Sequence, residues 1–142
     1  RVLEYLQPFN KTAAFWACNT QLRGNGIARE GADALRLGLP FIPESAETSA
    51  IAALLELVAA TETPVHIMRV STARSIELIA AAKSRGLPVT ASTTWMHLLL
   101  DTVALKSYNP SLRLDPPLGN KSDMIALRKG VIEGIIDAIA ID

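Results

Sequence analysis

The chain has 142 residues, 49% of them apolar and only 5% aromatic, with 14 basic and 14 acidic side chains that cancel. That length suits one domain or part of one, and the balanced charge leaves no electrostatic footprint for nucleic acid or an anionic membrane surface. No apolar run approaches the roughly 20 residues of a membrane-spanning helix, the first residues lack the layout of a signal peptide, and a single cysteine, Cys18, excludes an internal disulfide and favours a reducing compartment, the cytoplasm.

Ala13–Cys18 is a short apolar run that predicts a strand, followed by polar Asn19-Thr20-Gln21. From Gly24 to Gly38, scattered glycines and charges predict an excursion with one helical turn. Ser45 is placed to cap a helix running to about Ala60, with Glu47 and Thr48 in its first turn and Ile51, Leu54, Leu55 and Val58 along one face. Pro64–Val70 predicts the second strand, and Ser71 or Thr72 caps the helix after it. Lys83-Ser84-Arg85-Gly86 closes that helix with basic residues and a glycine, as the helix dipole favours. Pro88–Thr93 predicts a third strand and Trp95–Leu105 a helix. Tyr108–Asn120, with Pro110, Pro116 and Pro117, predicts a loop. Ser122 or Asp123 caps a helix to about Glu133, Gly134 ends it, and Ile135–Ile141 is a last apolar strand.

Short apolar strands alternating with helices suit a parallel sheet buried on both faces, in a doubly wound fold or a barrel. A whole barrel takes about 250 residues, so this chain supplies about half of one. It is expected to be part of a single barrel domain, 1–142, that continues beyond both ends, and a half barrel with open strand edges is expected to self-associate. In either fold chemistry sits at the C-terminal ends of the strands, which marks Ala17-Cys18-Asn19, Arg69-Val70-Ser71, Thr93-Thr94-Trp95 and Asp142. Strand alternation puts Val65, Ile67 and Arg69 on one side and His66 and Met68 on the other. With Arg69 at the site, His66 is expected to face the helices. Cys18 reads as a small buried residue at a strand end, Glu47 as a first-turn helix carboxylate, and Trp16 and Trp95 as packing residues.

Five segments, in order, resemble the dihydroorotases, cyclic amidohydrolases of pyrimidine synthesis. Pro43-Glu44-Ser45-Ala46-Glu47 resembles their Pro-x-x-Ala-Glu helix start, and His66-Ile67-Met68-Arg69-Val70-Ser71-Thr72 their His-Ile-x-His-Val-Ser-Thr strand. Val89-Thr90-Ala91-Ser92-Thr93-Thr94-Trp95-Met96-His97-Leu98 is similar to Val-Thr-Ala-Glu-Val-Thr-Pro-His-His-Leu, and Leu114-Asp115-Pro116-Pro117-Leu118-Gly119 to the Asn-Pro-Pro-Leu-Arg loop. Ile135-Ile136-Asp137-Ala138-Ile139-Ala140-Ile141-Asp142 resembles Gly-x-Ile-Asp-x-Ile-Ala-Thr-Asp. The unusual form of these segments also resembles a cyanobacterial subgroup of the family.

The resemblance implies about the last four βα units of a (β/α)₈ barrel with one or two zinc ions. It implies interconversion of dihydroorotate and carbamoyl-aspartate by a metal-bound hydroxide, with Asp142 as the proton-shuttling catalytic residue. It implies substrate contacts at Asn19, Arg69, His97 and Asp115, and a proline loop that walls the pocket. Two ligand histidines of the family stand here as Ala17 and Arg69, and a guanidinium stays protonated with no lone pair for a cation. The paired histidines are Met96-His97, the loop's asparagine is Asp115 and its arginine is Gly119. Zinc is therefore expected to be lost or altered, with an Arg69–Asp142 ion pair across its position. Three functions remain open: a dihydroorotase-like hydrolase with a modified site, a silent homologue acting as a scaffold with aspartate transcarbamoylase, and a hydrolase of another cyclic amide or ureide.

Overall fold

A computed structural model describes residues 1–141. A four-stranded parallel sheet runs in the order β1 (Ala13–Trp16), β4 (Val65–Met68), β5 (Val89–Thr94), β6 (Ala138–Ala140). The register pairs Ala13 with Val65, Val65 with Val89 and Ser92 with Ala138. Helices α4 (Ser45–Thr61), α5 (Ala73–Ser84) and α7 (Lys121–Ile132) cover one face. Ile51, Leu55 and Val58 of α4 and Ile76 and Ile79 of α5 bury against Val65, Ile67, Val89 and Ala91, as the helical and strand periods require.

The opposite face carries Ala14, Trp16, His66, Met68, Thr90 and Ser92, which in a closed barrel is the interior. His66 therefore faces away from the helices, contrary to expectation. Its Nδ1 lies 2.8 Å from Thr90 Oγ1 and its Nε2 3.0 Å from Ser92 Oγ. The alternation argument failed at Arg69, whose φ of +56° takes it out of the strand and breaks the period of two.

Several boundaries moved. The excursion between β1 and α4 holds α2 (Thr20–Arg23), β2 (Ala28–Arg29), α3 (Ala32–Leu37) and β3 (Phe41–Ile42), with β2 and β3 paired in parallel. Ser45 is the first residue of α4 rather than its cap, which is Glu44 without a side-chain bond. Thr72 caps α5. Asn120, not Ser122 or Asp123, caps α7, with Asp123 as the reciprocal partner of a capping box. The stretch Trp95–Leu105 is broken: α6 spans Trp95–Leu99, and a 3₁₀ segment covers Thr102–Ser107. Another 3₁₀ turn, Pro110–Leu112, lies in the proline loop. The last strand is confined to Ala138–Ala140.

A second apolar cluster, Ala28, Ala34, Leu105 and Leu118, joins the excursion to the segment after α6. It is separate from the helix-on-sheet core. Polar ties reinforce it: Thr102 Oγ1 donates to Asp33 at 2.7 Å, and the Tyr108 hydroxyl donates to Leu37 O at 2.9 Å. Among the described residues, no helix is long and apolar enough to cross a membrane.

Candidate functional site at the strand ends

After β1 the chain turns into α2 through Asn19, whose backbone N–H donates to Ala46 O at 2.7 Å. Asn19 Oδ1 accepts from the N–H groups of Gln21 and Leu22, both at 3.1 Å, which is helix capping. The carbonyl oxygen of this predicted substrate-binding residue is thus already engaged. Ala17 is buried and Cys18 half-buried beside it. Burial pushes the Cys18 thiol up, partly offset by the Arg23 charge.

Arg23, the last residue of α2, forms a two-pronged pair with Asp115: Nη2 to Oδ2 at 2.5 Å and Nε to Oδ1 at 3.3 Å. The same guanidinium sits 5.9 Å from the centre of the Trp16 ring. The Asp115 carboxylate, which would repel an anionic substrate if left unpaired, is thus paired. The Asp115 backbone carbonyl oxygen also accepts from Arg69 Nη1 at 3.4 Å.

Beneath Arg69 lies a buried polar cluster that the sequence did not disclose. Glu47 keeps its expected place in the first turn of α4, but it is only 6% exposed. It accepts from Ser71 N at 2.9 Å, from Ser75 Oγ at 2.7 Å and from Ser71 Oγ. Arg29, 3% exposed, donates through Nη2 to Ser71 Oγ at 2.6 Å and lies 3.9 Å from Glu47 Oε2. The excursion between β1 and α4 therefore delivers a guanidinium under the β4 terminus. The signal in the sequence was a charged residue inside a two-residue strand, too short for periodicity to expose.

His97 in α6 is 2% exposed. Its Nδ1 lies 2.7 Å from Thr94 Oγ1, and its Nε2 lies 3.1 and 3.3 Å from the carbonyl oxygens of Pro116 and Pro117. Burial lowers its pKa below the ordinary value. The two carbonyls oppose that shift and the Arg29 charge adds to it. The neutral ring, donating from Nε2 and accepting at Nδ1, fits these partners. His97 is thus a clamp between the end of β5 and the proline loop.

Two spaces open here. The smaller, about 10 Å³ and thus roomy enough for about one water, has Ala17, Cys18, Arg29, Glu47, Pro116 and Pro117 among its lining. The larger, about 220 Å³, is lined by Arg69, Thr94, Met96, His97, Arg113 and Asp115, with Leu114. Among the described residues, no three His, Cys, Asp or Glu side chains come together as a metal-holding group. Asp142 lies outside the described residues, and with it the expected Arg69–Asp142 pair.

Gly119, at the position of the family's loop arginine, has no room for a side chain. A Cβ there would lie 2.6 Å from Asp123 Cβ and 2.9 Å from Ser71 O. Gly119→Arg is expected to destabilise the fold by about 1–3 kcal/mol through overpacking rather than restore a substrate contact. Denaturant unfolding of the variant checks this, and an unchanged midpoint would show that the loop yields.

No family model matches the chain. A probable dihydroorotase-like protein of Synechocystis sp. is 51% identical over all of this chain and 34% of its own length. A dihydroorotase of Streptomyces coelicolor is 41% identical over all of this chain and 33% of its own. Among solved structures, a D-hydantoinase (dihydropyrimidinase) from Thermus sp. superposes with a TM-score of 0.81 at 20% identity, over 99% of this chain and 32% of that one, which shows the fold. The inactive dihydroorotase-like domain of a Chaetomium thermophilum CAD-like multifunctional protein matches at TM-score 0.54 and 27% identity, over 66% of this chain and 25% of that one. The parallel sheet with its helices is thus part of a (β/α) barrel, and the chain spans about a third of the length of the curated relatives it matches. The chain belongs to the dihydroorotase and dihydroorotase-like family, as a segment of its barrel.

Proposed function

We propose that these residues belong to a dihydroorotase-like barrel that has lost the metal-dependent chemistry of pyrimidine synthesis and persists as a scaffold in the cytoplasm. The carrying observation is the pair of strand-end positions Ala17 and Arg69. A methyl group and a guanidinium stand where the family resemblance puts ligand imidazoles, and neither offers a lone pair to zinc. The donor set does not fit the metal.

The polar groups around these positions support the same reading. Asn19 caps a helix, Asp115 is held by Arg23, and both ring nitrogens of His97 have protein partners. A site whose side chains are committed to one another keeps its shape without substrate. A fold persists when chemistry is lost because core packing and active-site loops are separable. That a related solved domain is itself described as inactive supports this. On this reading the barrel is one domain, its partner is aspartate transcarbamoylase, and self-association is the competing arrangement.

The test is metal analysis and a dihydroorotate hydrolysis assay on the full-length protein. Far less than one zinc or manganese per chain is expected, with no turnover above background. Arg69→His combined with Ala17→His is expected not to rescue activity. A stoichiometric divalent ion with turnover in the parent protein overturns the proposal, and co-purification with aspartate transcarbamoylase tests the partner.

A further inference from the structure

Arg29 and Glu47 form a buried ion pair that does not close on itself. Arg29 is 3% exposed and Glu47 6%, yet Arg29 Nη2 stands 3.9 Å from Glu47 Oε2, beyond hydrogen-bond reach. The two charges meet instead through Ser71, whose hydroxyl accepts from Nη2 at 2.6 Å and donates to Oε2. Two bonding positions are left over. The Arg29 Nε–H is buried and has no acceptor among the described residues. On the carboxylate, Oε1 serves both Ser71 N and Ser75 Oγ, whereas Oε2 serves Ser71 Oγ alone. A carboxylate has about four lone-pair sites, so one is spare on Oε2. Arg29 and Glu47 both stand on the lining of the 10 Å³ space at the end of β1.

We infer that this space is a binding site for one internal water, which accepts from Arg29 Nε and donates to Glu47 Oε2. A gap wider than about 3.5 Å between polar groups is where a bridging water belongs, and a cavity of this size takes one. An unmade buried donor carries its whole desolvation penalty, which offsets the entropy of fixing a water. The lining selects a neutral occupant. The guanidinium groups of Arg23 and Arg29 are balanced by the carboxylates of Asp115 and Glu47, so neither a halide nor a metal cation is drawn in. The Cys18 sulfur and the Asp115 carboxylate, on the same lining, are acceptors for the second water proton. A single trapped water completes a bond without screening the charges as bulk solvent does, and the pair remains a buried one. This water depends on Arg29 and Glu47 and is independent of whether the barrel turns over substrate.

A high-resolution crystal structure of the full-length protein, grown once in chloride and once in bromide, is the direct test. One water peak is expected at about 2.7–3.2 Å from both Arg29 Nε and the Glu47 carboxylate. An anomalous bromide signal there identifies a halide and overturns the assignment. So does Nε bonded directly to a protein acceptor, or a space without density. In solution, oxygen-17 relaxation dispersion of water counts the long-lived internal molecules. Arg29→Met combined with Glu47→Gln is expected to lower that count by one, and the remote Arg74→Ala to leave it as in the parent. An unchanged count in the folded double variant overturns the assignment, and should that variant not fold, the parent's density decides.

Discussion

Glu47→Ala is expected to cost about 3–5 kcal/mol of folding stability, because it strands a buried guanidinium. Glu47 collects Ser71 N, Ser71 Oγ and Ser75 Oγ and lies against Arg29, all out of water. Removing it leaves the Arg29 charge with the Ser71 hydroxyl as its remaining polar contact, and the Ser71 N–H without an acceptor. The double variant Arg29→Met with Glu47→Ala is expected to recover part of the loss, since the uncompensated charge goes too. Denaturant unfolding of the full-length protein, comparing midpoints across the two singles and the double, reads the coupling. A loss below about 1 kcal/mol for Glu47→Ala would mean the guanidinium reaches water after all.

His97→Ala is expected to cost about 2–4 kcal/mol, from two proline carbonyls that lose their donor and from the cavity left by the ring. The same side chain gives the fold a pH dependence whose sign is fixed. In the folded protein burial favours the neutral ring, so its pKa lies below that of a free histidine. Above the ordinary value, near 6.5, both folded and unfolded states hold a neutral ring and stability is at its full level. As pH falls below that value the unfolded chain takes up the proton first, and stability declines until the folded ring protonates too. Stability measured at pH 7.5 and at pH 5.5 should therefore fall more in the parent protein than in His97→Ala. Equal falls would place the acid sensitivity elsewhere.

The barrel layout was legible because Val65, Ile67, Val89 and Ala91 alternate cleanly and Ile51, Leu55 and Val58 recur at helical spacing. The orientation of His66 was misread because alternation was carried through Arg69, where the backbone has already turned to positive φ. Period-two reasoning holds only while the strand lasts, and this one ends at Met68. The excursion was legible only as irregular, since β2 and β3 are two residues each and no window resolves them. At the site, the sequence indicated which side chains gather at the strand ends but not what they hold. That Asp115 meets Arg23, 92 positions earlier, and that Arg29 meets Ser71 are contacts of the tertiary fold. Asn19 and Thr72 are different: their capping bonds are local, so residue type and position were enough to suggest one of them in advance.

The apolar cluster of Ala28, Ala34, Leu105 and Leu118 stands apart from the helix-on-sheet core and is stitched from two stretches far apart in the chain. Packing of that kind gives two cooperative units, each able to open locally with its own free energy. Amide exchange should then fall into two tiers, slowest in β4, β5 and α5 and faster in the stretch from Ala28 to Leu39. Arg29, seated under the end of β4, is the rivet between the tiers, and loosening it would let the outer unit breathe while the inner one stayed closed.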